Sequence, residues 1–270
     1  METGLRGRRA LITGGGSGIG RAIALSLAAE GVGVVICGRR DRSDVAAEIA
    51  ALGVKAWWLK ADVSMEADVV AVVRHASDRL GGLDLYVNVA AGTWHEPLTR
   101  LTSHAWERTL ATNVSACVWG CREVSRPFID QGHGAIVVIG STATVSAQPQ
   151  ETAYRASKAA LKAHVEVAAV ELAPFGIRVN MVTPGGVDTE FVATADPGQR
   201  AAATRQIPLR REAVPAEIAP AAVFLLSEQL ARYVTGTDLI VDGGLHLRPI
   251  QGVSDEELRR LNEADLEAGT

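Results

Sequence analysis

The sequence is poor in cysteine, with three residues in 270, and this odd, sparse set provides no disulfide framework. It also contains no HExxH motif, and we see no cluster of histidine or cysteine that joins Cys117 and Cys121. We therefore interpret this i, i+4 pair as part of a buried helix face and assign no residue to a metal.

Long apolar runs and blocks of one charge are absent as well. No stretch of about 18 apolar residues occurs, and the N-terminus lacks the apolar core of a signal peptide, so neither a membrane span nor secretion is expected. The net charge of −4 is spread along the chain, which argues against nucleic acid and anionic membranes as partners. The sequence predicts a cytoplasmic protein.

Short apolar runs alternate with helical stretches along the chain. The runs are rich in Val, Ile and Leu without strict alternation, as is typical of strands buried on both faces. They are Ala10–Thr13, Val32–Cys37, Ala56–Leu59, Leu83–Val89, Ala135–Ile139, Ile177–Val182 and Leu239–Val241. The alternation predicts an α/β fold with a doubly wound parallel sheet of about seven strands and helices on both faces. We expect a single domain over residues 1–250.

The first strand leads into a glycine-rich segment, Thr13–Gly20. Gly14, Gly18 and Gly20 fit a turn that brings the backbone against a pyrophosphate, with the next helix pointing its N-terminus at it. Glycine-rich turns are common, and the spacing is GxxxGxG rather than GxGxxG. The position between a strand and a helix is what favours a dinucleotide site.

Tyr154 and Lys158 lie four residues apart in a stretch with helical periodicity, Ala153–Ala173, so we expect them on one face. A free tyrosine has a pKa of about 10, and an ammonium group one turn away is expected to lower it. A chance pair on a solvated helix is the alternative. Ser141 follows the fifth strand, where its hydroxyl can bind a substrate oxygen; a helix or turn cap is its alternative role.

The glycine segment together with Asn113, Ser141, Tyr154 and Lys158 resembles the classical short-chain dehydrogenases/reductases. The resemblance covers roughly residues 6–245 and implies a Rossmann-type fold, nicotinamide chemistry and a homotetramer. It includes Asp62-Val63, Asn88, the segment Asn180–Thr189 and Val241–Gly244.

The resemblance also implies a role for each catalytic residue. Tyr154 would donate a proton to a carbonyl in reduction or act as the base in oxidation, and Lys158 would lower the pKa of Tyr154 and hold the nicotinamide ribose. Ser141 would position the substrate oxygen, and Asn113 would hold a water that relays protons. The residues expected to bind the cofactor, besides two arginines considered next, are Gly14, Ser17, Gly18, Ile19, Gly20, Asp62, Val63, Asn88, Ala90, Tyr154, Lys158, Pro184, Gly185, Val187 and Thr189.

The end of the second strand is expected to face the adenosine ribose. Gly38 stands where NAD-preferring members of the family often carry an aspartate, and Arg39 follows, with Arg40 as a second, weaker contact. A guanidinium can meet a 2′-phosphate with two parallel hydrogen bonds, so the sequence predicts a preference for NADP(H) over NAD(H). The alternatives are that both arginines are solvated, or that Asp41 binds the ribose.

One segment departs from the family pattern of Asn-Asn-Ala-Gly. This chain has Asn88-Val-Ala-Ala91 followed by Gly92, which puts the stability of the loop and the cofactor's position in question. We interpret it as a tolerated variant whose backbone still contacts the cofactor.

Other functions remain open from the sequence alone. An epimerase or dehydratase on the same scaffold would use the cofactor transiently, whereas a non-catalytic dinucleotide-binding regulator would not need all four catalytic residues. The substrate cleft is expected to involve Thr93–Pro97, Thr142–Glu151 and Phe191–Leu209, with Trp94 either stacked on a cyclic substrate or packed in its loop. Residues 251–270 form a tail in which the capping-box spacing of Ser254–Glu257 predicts a short helix.

Overall fold

The chain forms a seven-stranded, all-parallel sheet in the strand order β3-β2-β1-β4-β5-β6-β7. The coordinates are those of a computed structural model, which describes residues 2–145, 147–190 and 197–247. The strands are β1 Arg9–Thr13, β2 Gly33–Gly38, β3 Ala56–Lys60, β4 Leu85–Asn88, β5 Gly134–Ile139, β6 Ile177–Pro184 and β7 Asp238–Val241. The predicted fold class is therefore confirmed, and the strand bounds differ from the predicted runs by no more than two residues.

Helices cover both faces of the sheet, which is why the strands lack polar alternation. Leu11 and Val35 pack into the core on one face, while Ile12 and Ile36 pack into the core on the other. The helices are α1 Gly18–Ala29, α2 Ser43–Ala50, α3 Glu66–Leu80, α4 Ser103–Leu110, α5 Ala116–Gln131, α6 Thr152–Leu172, α7 Pro197–Thr204 and α8 Pro215–Leu226. α1, α2 and α8 contribute to one core, and α3, α5 and α6 to the other.

The strand order creates the place for a ligand. β1 pairs with β2 on one side and with β4 on the other, so the chain leaves β1 and β4 in opposite directions across the sheet. A crevice opens at such a switch point, outside the carboxyl ends of the strands. Thr13 and Asn88 are register partners at this edge, and the segments that follow both strands face the crevice.

None of the helices in the described ranges is both long enough and apolar enough to cross a bilayer. The predicted tail helix in residues 251–270 and the cleft residue Phe191 lie outside the described residues.

Candidate active site

A cavity of about 790 Å³ lies at the carboxyl ends of the strands. It brings together almost all of the site residues predicted from the sequence, and Gly20, Asn88 and Asn113 are the three that do not line it. Those that line it are Gly14, Ser17, Gly18, Ile19, Arg39, Arg40, Asp62, Val63, Ala90, Ser141, Tyr154, Lys158, Pro184, Gly185, Val187 and Thr189.

The glycine segment forms a tight turn that only glycine fits at two positions. Gly14 has a φ of +67°, and a Cβ there would lie 2.9 Å from the backbone nitrogen of Ala90. A Cβ on Gly20 would lie 2.2 Å from the carbonyl oxygen of Gly14. The start of α1 therefore packs directly on the end of β1, and the backbone of Gly14, Ser17 and Gly18 is left facing the cavity.

Thr13 and Asn88 hold the loop that departs from the family pattern. The Thr13 hydroxyl donates to Asn88 Oδ1 (3.3 Å) and accepts from the backbone N–H groups of Val89 (3.2 Å) and Ala90 (3.3 Å). Tyr86 donates to the same Asn88 oxygen at 3.2 Å. Asn88 is buried behind the loop, so it anchors the loop from below while Val89 and Ala90 line the cavity.

Asn113 anchors the far end of this loop. Its Oδ1 accepts from the Gly92 N–H at 2.8 Å, and its Nδ2 donates to the Gly92 carbonyl at 3.0 Å and to Ser157 Oγ at 2.9 Å. Asn113 lies in a π-helical turn, Ala111–Ser115, between α4 and α5, and such turns recur at functional sites. The oxygen and the nitrogen of the Asn113 amide are therefore both bonded to other protein groups, and the side chain holds the Gly92 peptide in place.

Ser141 and Tyr154 form the polar centre of the cavity. Ser141 follows β5, its hydroxyl hydrogen-bonds the Tyr154 phenol, and its Oγ accepts from the Ala143 N–H at 3.1 Å. The serine therefore caps a short 3₁₀ turn and lines the cavity at once, so its two predicted roles are not exclusive. Two hydroxyl groups converge on one point, where they can hold a single substrate oxygen.

Lys158 lies one turn beyond Tyr154, as predicted, but its effect on the tyrosine is not the predicted one. Its Nζ donates to the Ile139 carbonyl at 2.9 Å and lies 5.7 Å from the centre of the Tyr154 ring. Burial lowers the pKa of Lys158 to about 8. Burial, outweighing the Ser141 hydrogen bond and assisted by the charge of Glu151, raises the pKa of Tyr154 to about 12. The expectation that the protein lowers this pKa is therefore wrong.

Arginines surround the cavity at the end of β2. Arg39 and Arg40 are exposed at its edge, and Arg42, which the sequence analysis did not identify, also lines it. Arg42 lies 3.4 Å from Glu190 and Arg40 lies 3.9 Å from it, so this acid partly neutralises both. A Cβ on Gly38 would lie 3.0 Å from the Trp58 ring, which explains the small residue there.

The acids near these arginines occupy different positions. Asp41 Oδ1 accepts from the Ser43 N–H at 2.9 Å at the start of α2, and Asp41 is not among the cavity residues. Asp62 lines the cavity and binds Ser64 N and Oγ through Oδ1. Burial raises the pKa of Asp62, but the Ser64 hydrogen bonds and the charge of Arg39 outweigh it and lower the pKa.

The segment after β6 closes the opposite side of the cavity. A Cβ on Gly185 would lie 2.9 Å from the Cα of Asp242, so this segment packs tightly on the end of β7. Arg200 of α7 binds Asp188 at 2.6 Å and also pairs with Glu212. These ion pairs fasten α7 beside Pro184–Thr189.

The cysteine pair and Trp94 lie outside the cavity. Cys117 and Cys121 are buried, as predicted, but a ring nitrogen of His164 lies within 4.8 Å of both sulfurs. The statement that no histidine joins the pair is therefore wrong, because His164 comes from α6 and is distant in sequence. Trp94 packs on Gly92 and lies 5.2 Å from the Arg108 guanidinium, and its ring does not line the cavity.

Comparison with known proteins agrees with this architecture. A family model described as enoyl-(acyl carrier protein) reductase matches residues 14–246. The chain is 36% identical to 3beta-hydroxysteroid dehydrogenase 1 from Eggerthella lenta, over 92% of this chain and 97% of the relative. It is 34% identical to 2,5-dichloro-2,5-cyclohexadiene-1,4-diol dehydrogenase from Sphingobium indicum, over 90% and 98%. A crystal structure of a short-chain type dehydrogenase/reductase from Mycobacterium marinum matches with a TM-score of 0.85 and 34% identity, over 90% and 97%.

Proposed function

The chain belongs to the short-chain dehydrogenase/reductase family, and from this membership we propose that it transfers a hydride between NADP(H) and a small carbonyl or alcohol substrate. As a member of this family, the protein is an oxidoreductase of hydroxyl or carbonyl groups that uses a nicotinamide cofactor. The preference for NADP(H) and the roles of individual residues are the proposal.

The observation that carries the proposal is the convergence of the Ser141 and Tyr154 hydroxyls in the same cavity as the glycine segment. Hydride transfer to a carbonyl leaves a negative charge on the oxygen, which needs a positioned proton donor and a second hydrogen bond. Because the pKa of Tyr154 is raised to about 12, its phenol is protonated at neutral pH, which is the form that donates. Ser141 would hold the same oxygen.

The residues present fit a dinucleotide. A backbone turn with no room for a Cβ at Gly14 and Gly20 precedes a helix N-terminus, as a pyrophosphate requires, and Asp62 and Val63 line the same cavity. Pro184–Thr189 would seat the nicotinamide, and Lys158 would bind its ribose. When bound, the cofactor supplies or accepts the hydride.

Three features support NADP(H) over NAD(H). Gly38 leaves no acid at the end of β2, and Arg39 and Arg42 both line the cavity beside it. Asp41, the alternative ribose acid, is committed to the Ser43 N–H at the start of α2. Glu190 partly neutralises Arg40 and Arg42, whereas no ion pair to another described residue is recorded for Arg39, so the Arg39 guanidinium is the group best suited to a 2′-phosphate.

The fold alone does not define the class of substrate. The two relatives are named for a hydroxysteroid and a cyclohexadiene diol, so ring alcohols and ring ketones are the first candidates here. The test is a panel of ketones and alcohols with both cofactors, read at the NADPH absorbance band. Net oxidation of NADPH on ketone addition supports the proposal. An epimerase or dehydratase would convert substrate with no net change in NADPH.

Tyr154→Phe tests the acid itself, because it removes only the phenolic oxygen and proton. We expect cofactor binding to persist and turnover to fall by about a hundredfold or more. Turnover within tenfold of wild type would contradict the assigned role. We also propose a homotetramer, and the large apolar side chains that α5 and α6 expose are Val118, Ile129, Val167 and Val170.

A further inference from the structure

A carboxyl group lies in the cavity where the catalytic set requires none. Glu151 precedes Tyr154 by one helical turn and lines the same cavity as Ser141 and Tyr154. It is half-buried, although acids are usually exposed unless they are paired. Its position in the cavity calls for a function beyond the proton transfer already assigned to Tyr154.

The Glu151 carboxyl is not used to hold the protein together. Glu151 occupies the N-cap position of α6, yet its side chain makes no capping hydrogen bond. Neither oxygen of the Glu151 side chain has a hydrogen bond or an ion pair within 4 Å to a residue of the described ranges. Both oxygens are therefore available to a ligand in the cavity, since an ionised carboxylate only accepts hydrogen bonds.

The backbone next to Glu151 is bonded to a second loop of the cavity. Gln150 adopts a φ of +69°, which is uncommon for a residue with a side chain, and its carbonyl accepts a hydrogen bond from the Glu96 N–H at 3.3 Å. This bond joins the two loops that flank the catalytic hydroxyls. Gln148, Gln150 and Glu151 thereby line one end of the cavity, with His95 at its edge.

The charges around Glu151 decide which donor it suits. Burial raises the pKa of Glu151, while His95 and Arg155 act in the opposite direction, so two basic side chains already lie near the carboxyl. Those basic groups would repel a substrate ammonium group, whereas a neutral hydroxyl group would not be repelled. A hydroxyl group is therefore the better partner.

We propose that Glu151 accepts a hydrogen bond from a second hydroxyl group of the substrate, which makes the substrate a diol, a polyol or, in the reductive direction, a hydroxyketone. This inference rests on the proposed hydride transfer, because the first oxygen is the one held by Ser141 and Tyr154. A site built to bind a substrate hydroxyl discriminates against the analogue that lacks it, since its polar group is then left unpaired. Because Glu151 is only half-buried, we expect discrimination of about ten- to a hundredfold.

The test compares matched probes at pH 8. Cyclohexanol and the two 1,2-cyclohexanediols are assayed for kcat/KM with NADP⁺, together with 2-aminocyclohexanol as the ammonium probe. The variants are Glu151→Ala and Glu151→Gln, and the matched control is Glu166→Gln, an exposed acid further along α6. The control should behave as wild type.

We expect wild type to favour a diol over cyclohexanol by tenfold or more, and Glu151→Ala to bring this ratio close to one because the diol loses more activity than cyclohexanol does. Glu151→Gln should keep part of the ratio, because the amide retains one acceptor oxygen. Equal losses on diol and cyclohexanol, a wild-type ratio near one, or a preference for the amino alcohol would each overturn the assignment of Glu151. Turnover of no probe with either cofactor would instead count against the proposed reaction itself.

Discussion

Replacing Lys158 by methionine should make the protein more stable while abolishing its activity. Lys158 is 3% exposed, and its ammonium group donates one hydrogen bond to the Ile139 carbonyl. Burial without a carboxylate partner explains why its pKa falls from 10.5 to about 8. A residue kept for catalysis at a cost in stability is the pattern expected at active sites.

The size of the effect follows from the pKa shift. At about 1.36 kcal/mol for each pH unit, the drop from 10.5 to about 8 corresponds to roughly 3 kcal/mol of lost stability at pH 7. Methionine has a similar length and no charge, so Lys158→Met removes this penalty. It also leaves the Ile139 carbonyl without a donor, which costs about 1 kcal/mol. We expect a net gain of about 2 kcal/mol in the free energy of unfolding.

The stability difference between wild type and Lys158→Met should depend on pH. Between pH 8 and 10.5 the unfolded chain keeps a proton on Lys158 that the folded chain has released, so wild-type stability rises with pH in this window. The advantage of Lys158→Met should therefore shrink by about 2 kcal/mol between pH 7 and pH 9.5.

Urea unfolding followed by circular dichroism, at one protein concentration, measures both quantities. Lys162→Met is the matched control: it lies one turn further along α6, its side chain is 50% exposed, and its Nζ is 3.7 Å from Asp238. Its stability should stay within about 0.5 kcal/mol of wild type at both pH values. If Lys158→Met is less stable than wild type at pH 7, or its difference does not change with pH, the reasoning is refuted.

Three further predictions concern the cofactor, the loop and the assembly. Arg39→Ala should lower kcat/KM with NADPH by about tenfold or more and leave NADH nearly unchanged, since a hydrogen bond to a charged group contributes about 1.5 kcal/mol; equal losses with both cofactors would contradict this. Asn113→Ala should lower the free energy of unfolding by about 2–4 kcal/mol, because it leaves the Gly92 peptide without its two side-chain hydrogen bonds, and an unchanged urea midpoint would contradict it. Light scattering should report a tetramer in wild type and smaller species for Val170→Asp; a monomeric wild type would refute the proposed assembly.

The sheet was predictable because its signals are local. Runs such as Ala135–Ile139 are apolar throughout, as is typical of a strand that is buried on both faces of a sheet. The cavity was predictable for a topological reason: the carboxyl ends of parallel strands share one edge, so Thr13, Asn88 and Ser141 had to converge. The structure places Thr13 and Asn88 in register and Ser141 on the cavity wall.

The features that the sequence did not predict depend on burial and on contacts between distant segments. His164 joins Cys117 and Cys121 only because α5 and α6 pack together. Arg42 lines the cavity because α2 begins beside the glycine segment, where its side chain packs against Gly16. Spacing along the chain carries no information on such contacts.

The Tyr154–Lys158 pair shows why spacing alone gave the wrong pKa direction. The four-residue interval correctly predicted a shared helix face, but the ammonium group bonds the Ile139 carbonyl, and burial acts on both side chains at once. Burial disfavours charge, so it raises the pKa of the phenol and lowers that of the amine. The resulting pKa order, about 12 for Tyr154 and about 8 for Lys158, means that rising pH deprotonates Lys158 before Tyr154. At neutral pH Tyr154 is therefore protonated, which is the form that can donate to a carbonyl oxygen. For oxidation Tyr154 would have to lose its proton first, and a bound oxidised nicotinamide, which carries a positive charge, would favour that loss.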